Sequence, residues 1–257
     1  MKTHLSLERR IHNAALSQEA ENVKARHQYL HARCDGATEY DQLWVHTEDC
    51  GWGHFFGCMV GFDQVWHGNI TDYERMGMER WMQMIDLYPE IAGKDFRPLM
   101  ECSVHTLVTD VIEVAADGKS ARGCFITPGV IHSRLTADKG EDGKVHRSPK
   151  YCHVLWERYG SDFVCEDGEW KYLHEHVCPD IVGDMDHTNW AADEFARITS
   201  PNPGEAMPPT LGCPPVADPG PMHMPYSVLS TPQNSVPWPE PYETLDNDNT
   251  YTPFLKK

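Results

Sequence analysis

The 257-residue chain has no run of eighteen apolar residues, so it contains no candidate membrane-spanning helix. Its opening stretch, MKTHLSLERRIHNAALSQEAEN, lacks an apolar h-region, and export by a secretory signal is not expected. Positive charge is scarce: 22 Lys and Arg stand against 39 Asp and Glu, a net charge of −17. A surface of that sign repels phosphate backbones and anionic lipid, which argues against nucleic acid or a membrane as partner. Cysteine is not scarce, but the nine present are an odd number and no two are spaced C-x-x-C. That pattern argues against a disulfide framework or zinc knuckle and fits a reducing, cytoplasmic setting. Also missing are G-x-G-x-x-G, the P-loop, H-E-x-x-H and G-x-S-x-G. Nicotinamide, nucleotide triphosphate and classical serine-hydrolase chemistries therefore lose their main support. What remains is acid–base chemistry without a cofactor, or binding.

What the chain does have is enough apolar material for a core: 40% hydrophobic residues, eight of them tryptophan. Residues 5–34 read as an amphipathic helix with Val23, His27, Leu30 and Cys34 on one stripe. A short second helix is expected around Tyr40–Trp44, and a third over residues 71–89. Strands are expected over roughly 101–114, 119–134, 150–164 and 169–178. Asp117-Gly118 and Asp167-Gly168 supply hairpin turns between them, and 140–144 a charged connection. Helices followed by a run of antiparallel strands imply an α+β fold in which a curved sheet wraps around helices. Composition changes near residue 200, because fourteen of the nineteen prolines lie in 201–257. Such a segment cannot be a central sheet or a regular helix. Its Met222, Met224, Tyr226, Trp238, Tyr242, Tyr251 and Phe254 suit an extended arm packed on its own domain or a neighbouring subunit. The division expected is a domain over 1–195 and an arm over 196–257.

Three groups of residues carry possible chemistry. His105 interrupts a strand-like run in which Leu107, Thr109 and Val111 share its side. A histidine among apolar neighbours is costly to bury without a partner and titrates near working pH, which suits a proton-transfer group. His27 lies on the helix stripe that covers this sheet, so the two imidazoles are candidates to share proton transfer. The core alternative is that each is separately satisfied by a hydrogen bond. His174 and His176, in KYLHEHVC, form an H-x-H pair on one strand face: a polar pocket wall, or two ligands of a metal site that would need a third. Trp52, His54 and Phe56 alternate along CGWGHFFGCMVG, and with Tyr29 they form a candidate aromatic wall for a flat ligand.

VKARHQYLHARC with YDQLW and TED resembles the opening of the SnoaL-like branch of the nuclear transport factor 2 (NTF2)-like superfamily. HTLVTDVIEV, DGKSARGCF and VCEDGEWKYLHEHV are similar to its strands, and the resemblance covers about residues 6–185. It implies an α+β cone with a deep pocket closed by the helices. It also implies an activity of the kind found in scytalone dehydratase, bile-acid 7α-dehydratase, ketosteroid isomerase, polyketide cyclases or formaldehyde-releasing lyases of lignin-derived diaryl compounds. Most of these work without a metal or organic cofactor, and many form dimers or trimers. By resemblance His105 takes the position of the dehydratases' strand histidine. His27 stands where a tyrosine is usual, after Arg26, and Ala32 where an aspartate is usual, unless Asp35 takes that place. The expectation is a cofactor-independent lyase that eliminates water or formaldehyde from a hydroxylated aromatic or polycyclic molecule. His105 and His27 are its catalytic pair; Tyr29, Trp52, His54, His174 and His176 contact the substrate. Alternatives are a non-catalytic hydrophobic-ligand-binding or assembly protein, an isomerase or cyclase, and a metal-dependent enzyme using His174 and His176.

Overall fold

In a computed structural model the residues described are 6–54, 57–72, 78, 81–82, 84–94, 101–133, 137–147, 151–184, 236–246 and 249–252. Helix α1 spans Leu7–Ala32. Ser6 starts it by accepting a hydrogen bond from the Arg9 backbone N–H, and Glu8 complements the positive end of the helix dipole. It stops where Arg33 bonds back to Tyr29 and Leu30 and Cys34 enters the left-handed region at φ 56°. The short α2 (Gly36–Leu43) and α3 (Phe62–Trp66) follow, the latter running on into a π-turn over His67–Asp72. Part of the helix expected over 71–89 lies outside the described residues. Those described at 78, 81, 82 and 84 are helical, and Trp81 and Met84 join Tyr88 and Ile91 in a small separate core.

The strands are β1 (Gly51–His54), β2 (Gly57–Val60), β3 (Glu101–His105), β4 (Val108–Val114), β5 (Ser120–Ser133), β6 (Ala137–Lys139), β7 (Val145–Arg147), β8 (Tyr151–Glu166) and β9 (Glu169–Asp184). Seven form one sheet in the order β2-β1-β9-β8-β5-β3, with β4 also on β5; β6 and β7 form a two-stranded hairpin on either side of the expected charged connection. All pairings are antiparallel except β1 with β9. Helix α1 lies across β3, β4, β5 and β9, giving an α+β architecture of the kind expected, helices against a mixed, unclosed curved sheet. Both expected hairpins form, with Gly118 at φ 73° and Asp167-Gly168 at 51° and 88°. That consecutive positive-φ pair matches the right-handed twist of the flanking strands.

One expectation fails in detail. A single strand over 101–114 would put His105, Leu107, Thr109 and Val111 on one face, but the strand is broken after His105. Thr109 takes φ 52° and the pairing with β5 shifts between Val108 and Val111. The extra residues of a bulge reverse the alternation, so Thr109 and Val111 are exposed while His105 faces inward beside Ser103.

The main core is aromatic. Trp44 stacks on Tyr40 and Tyr172, and Phe163 packs between Tyr172 and Phe125. Each such buried ring contributes roughly 1.5–3 kcal/mol relative to exposure. On the other face of the sheet, Val236 and Tyr251 of the C-terminal segment pack on Cys178. Tyr242 and Glu243 accept backbone bonds from Ala116 and Asp117 at the β4–β5 turn. Tyr251 lies so close over Gly160 that a Cβ there would come within 2.6 Å of its ring. Residues 196–235 of the expected arm lie outside the described residues.

Candidate active site

Helix α1 presents Lys24, His27, Gln28 and His31 on one side, the i, i+3, i+4, i+7 set of a single helical face. Lys24, His27 and Gln28 are buried on this face, where apolar side chains would cost nothing. Opposite it, Glu157, Tyr159 and Ser161 alternate inward along β8, Glu175 points in from β9, and Ser103 and His105 from β3. Glu39 of α2 closes the group.

The contacts run continuously. Lys24 Nζ pairs with Glu175 Oε1, with both side chains fully buried, and lies 3.6 Å from the centroid of the Tyr159 ring. His27 Nδ1 donates to Glu39 Oε1 at 2.8 Å, and its Nε2 is 3.9 Å from Glu175 Oε2. The His31 ring lies between His27 and His105, at centroid distances of 5.8 and 5.3 Å. Ser103 Oγ is 3.2 Å from His105 Nε2 and 3.4 Å from His31 Nε2. On the other side of the His105 ring, Nδ1 is 3.0 Å from the Tyr159 hydroxyl, which donates to Glu157 Oε2 at 2.8 Å. The His105 side chain is only 7% exposed, whereas His31 is open to solvent, so the cluster reaches the surface at His31. Gly129 makes room for this arrangement: a Cβ there would lie 2.6 Å from the Val104 carbonyl and 2.8 Å from the His105 ring.

Burial dominates the electrostatics. It pulls His105 down to about 4, reinforced by His27 and Lys24. That imidazole is therefore neutral at pH 7. Burial raises Glu157 to about 7 against the opposing pull of the Tyr159 hydrogen bond and Lys24. Burial also pushes Glu175 upward, but Lys24 and His27 outweigh it and leave this carboxyl below its usual range. Tyr159 and Tyr172 are raised by burial and remain phenols. Two carboxyl groups in one cluster are thus driven in opposite directions, one kept ionised and one able to carry a proton near neutrality. That separation suits acid–base work. Among the described residues, the Gln28 amide, the Tyr172 hydroxyl and one oxygen each of Glu39 and Glu175 are buried without a hydrogen-bond partner. Such groups, costly when left unmatched, can meet the polar atoms of a small molecule.

The structure brings His105 and His27 into this cluster. Trp52 sits in the core at the register position beside Glu175. The side chain of His54 lies outside those described. Tyr29 does not join: it is 76% exposed on the outer side of α1, because it falls two positions after His27 and so points away. His174 and His176 are also misplaced by the strand reading. A bulge in β9 at Leu173, where Tyr172 pairs Phe163 but His174 pairs Asp162, reverses the alternation. Glu175 therefore faces the cluster and the two histidines face the far side of the sheet. There His174 Nδ1 meets Asp162 at 2.9 Å and Thr250, and Nε2 donates to the Asp49 carbonyl at 2.9 Å. Both ring nitrogens of His174 are engaged in holding loop and C-terminal segment. Asp35 is half-exposed and paired with Arg33, not with His105.

Sequence reasoning missed Lys24, His31, Glu39, Ser103, Glu157, Tyr159 and Glu175. For β8 a signal existed: WERYGSDF places Glu, Tyr and Ser at period two on the face that continues into Phe163. For Glu175 there was none, since the bulge decides its face.

No protein family model matches the chain, and no curated protein matches it in sequence. Among solved structures, it is similar to a scytalone dehydratase homologue of Novosphingobium aromaticivorans at 13% identity, covering 68% of this chain and 89% of that one, TM-score 0.45. It is also similar to an NTF2-like superfamily protein of Salmonella enterica at 14% identity, covering 68% and 95%, TM-score 0.40. A third is the hexachlorocyclohexane dehydrochlorinase LinA-type3 of Novosphingobium barchaimii, at 11% identity, covering 69% and 95%, TM-score 0.42.

Proposed function

We propose that the protein is a cofactor-independent lyase acting on a small hydroxylated aromatic or polycyclic molecule, with His105 as its acid–base group. The observation that carries this reading is the neutral His105 imidazole, held by Tyr159 on one nitrogen and by Ser103 on the other, next to the solvent-open His31. A neutral imidazole is a competent base, and one aligned on both sides by hydrogen bonds is pre-organised for proton transfer. His27, oriented by Glu39, supports the same site by polarising a phenol or carbonyl oxygen. The outcome is loss of water, or of formaldehyde from a hydroxymethyl side chain once the ring hydroxyl is deprotonated.

The test is a screen of lignin-derived phenolic alcohols, hydroxysteroids and polyketide alcohols for dehydrated product or formaldehyde, followed by His105→Ala. Removal of a general acid–base group costs about 10²–10⁴-fold in rate. His105→Ala is expected to lose at least about a hundredfold while remaining folded by circular dichroism; near-normal turnover overturns the assignment. The second reading is a binding protein, favoured by the unmatched Gln28 and Tyr172 groups. It predicts tight ligand binding with no product on prolonged incubation. A cytoplasmic homodimer or homotrimer is part of the proposal; the exposed Val104, Val108, Val111 and Trp156 offer apolar surface for such contacts, and sedimentation would test it.

A further inference from the structure

We propose that Glu157, acting through Tyr159, sets which nitrogen of His105 carries the proton, so that the imidazole alternates between base and acid without becoming a cation. The three groups are in mutual contact: His105 Nδ1 lies 3.0 Å from the Tyr159 hydroxyl, that hydroxyl 2.8 Å from Glu157 Oε2, and the same oxygen 3.4 Å from Nδ1. With Glu157 ionised, Tyr159 donates to it, and His105 donates from Nδ1 to the Tyr159 oxygen beside that carboxylate, leaving Nε2 as a lone pair beside Ser103. With Glu157 protonated, the direction reverses. Glu157 donates to Tyr159, Tyr159 donates to Nδ1, and the imidazole proton sits on Nε2.

The exchange balances. A substrate proton arrives on Nε2, the Nδ1 proton passes to the Tyr159 oxygen, and Tyr159's own proton passes to Glu157. No charge stays on the ring; the carboxylate has become a carboxylic acid. The reverse exchange delivers the Nε2 proton to the departing hydroxyl, which leaves as water, and restores ionised Glu157.

Every element packed around these groups bears on them. Lys24 of α1 lies over the Tyr159 ring and Glu175 faces it from β9. His27 and His31 of α1 stand on the His105 side, Ser103 is contributed by β3, and Thr127 of β5 bonds the Glu157 backbone carbonyl. Burial, with His27 and Lys24 adding to it, holds His105 down to about 4, while burial raises Glu157 to about 7. A proton shared among the three groups therefore rests on the carboxyl rather than on the imidazole. Tyr159, raised far above neutrality, passes the proton without holding the charge. Glu157 and Tyr159 are thus positioning residues, and His105 is the group that meets the substrate.

The catalytic consequence rests on the lyase reading; the tautomer exchange does not. It is read directly by long-range proton–nitrogen NMR of the full chain labelled with ¹⁵N-histidine, between pH 5 and 9. His105 is expected to stay neutral and to move from Nε2–H to Nδ1–H as pH rises through about 7. Glu157→Gln and Tyr159→Phe, checked for folding by the same spectra, should each abolish the movement, and Glu157→Asp should restore it at a shifted midpoint. Imidazolium formation at His105 near its usual pKa, one tautomer at every pH in the wild type, or a movement that survives Tyr159→Phe would overturn the relay. Exchange in a protein that yields no lyase product leaves the relay standing and removes only the reaction.

Discussion

Lys24 and Glu175 are buried together beneath the helix, and their energetics follow from that burial. Desolvating two ions costs nearly what their attraction returns, so the intact pair adds little, but removing one partner strands the other. Lys24→Met is therefore expected to lose about 3–5 kcal/mol in urea denaturation, and Lys24→Met with Glu175→Leu to recover most of it. A double variant no more stable than the single one would mean that Glu175 is satisfied without Lys24. Gly129 is the other residue where atomic space decides. Because the Val104 carbonyl and the His105 ring fill the position of a side chain, Gly129→Ala must separate β3 from β5. The expected cost is about 1–3 kcal/mol, together with displaced His105 ring resonances. An unmoved His105 spectrum would show that the neighbouring strand yields instead. From sequence, His105 was recognisable as an anomaly in an apolar run, but nothing local announced that a glycine 24 positions later would be its cross-strand neighbour.

Among the elements, β9 and the C-terminal segment changed most between reading and structure. The two inserted residues that bulge β9, near Leu173 and Asp180, redirect every side chain between them. His174 consequently serves Asp162 and Thr250 on the outer face. Asp162, buried beside Arg122, accepts from the Tyr251 backbone N–H and the Thr250 hydroxyl. A buried carboxylate stripped of such bonds is costly, so shortening the chain to residue 235 is expected to lower stability by at least about 2 kcal/mol. An unchanged urea midpoint would show that water replaces the segment at no cost. Helix α1 was legible because Val23, His27, Leu30 and Cys34 recur at helical spacing, whereas its buried polar face was not. Apolar counting found Val23 and His27 and passed over Lys24, whose burial is visible only once Glu175 stands opposite.

For the whole molecule, the shifted groups impose a pH signature with two limbs. His105 has a folded value below its unfolded value of 6.5, so the stability tied to its neutrality is present above that value. It is lost as pH falls toward about 4. Glu157 acts in the opposite sense. Its folded value is raised, so its contribution is full below 4.5 and lost as pH climbs through about 7. Glu157→Gln cannot ionise, and its stability relative to wild type is expected to rise between those limits by on the order of 3 kcal/mol. Denaturation of both proteins at pH 4.5, 6 and 7.5 checks this; a constant difference would mean that folding leaves the Glu157 carboxyl at its unfolded value. The helix and strand inventory and both hairpins could be anticipated, because each depends on periodicity or on a two-residue turn.

The sequence by itself determined the α+β class, the positions of the turns, the length of α1 and the identity of His105 as a histidine out of place. These follow from interactions among residues a few positions apart. Only the tertiary structure decided which polar groups share the interior with His105: Lys24, Glu39, Glu157, Tyr159 and Glu175 come from four separate elements. Their meeting depends on strand register and on bulges, where one inserted residue exchanges the two faces of a strand. Register is fixed by the packing of the whole sheet against α1, and no local pattern in the chain contains it.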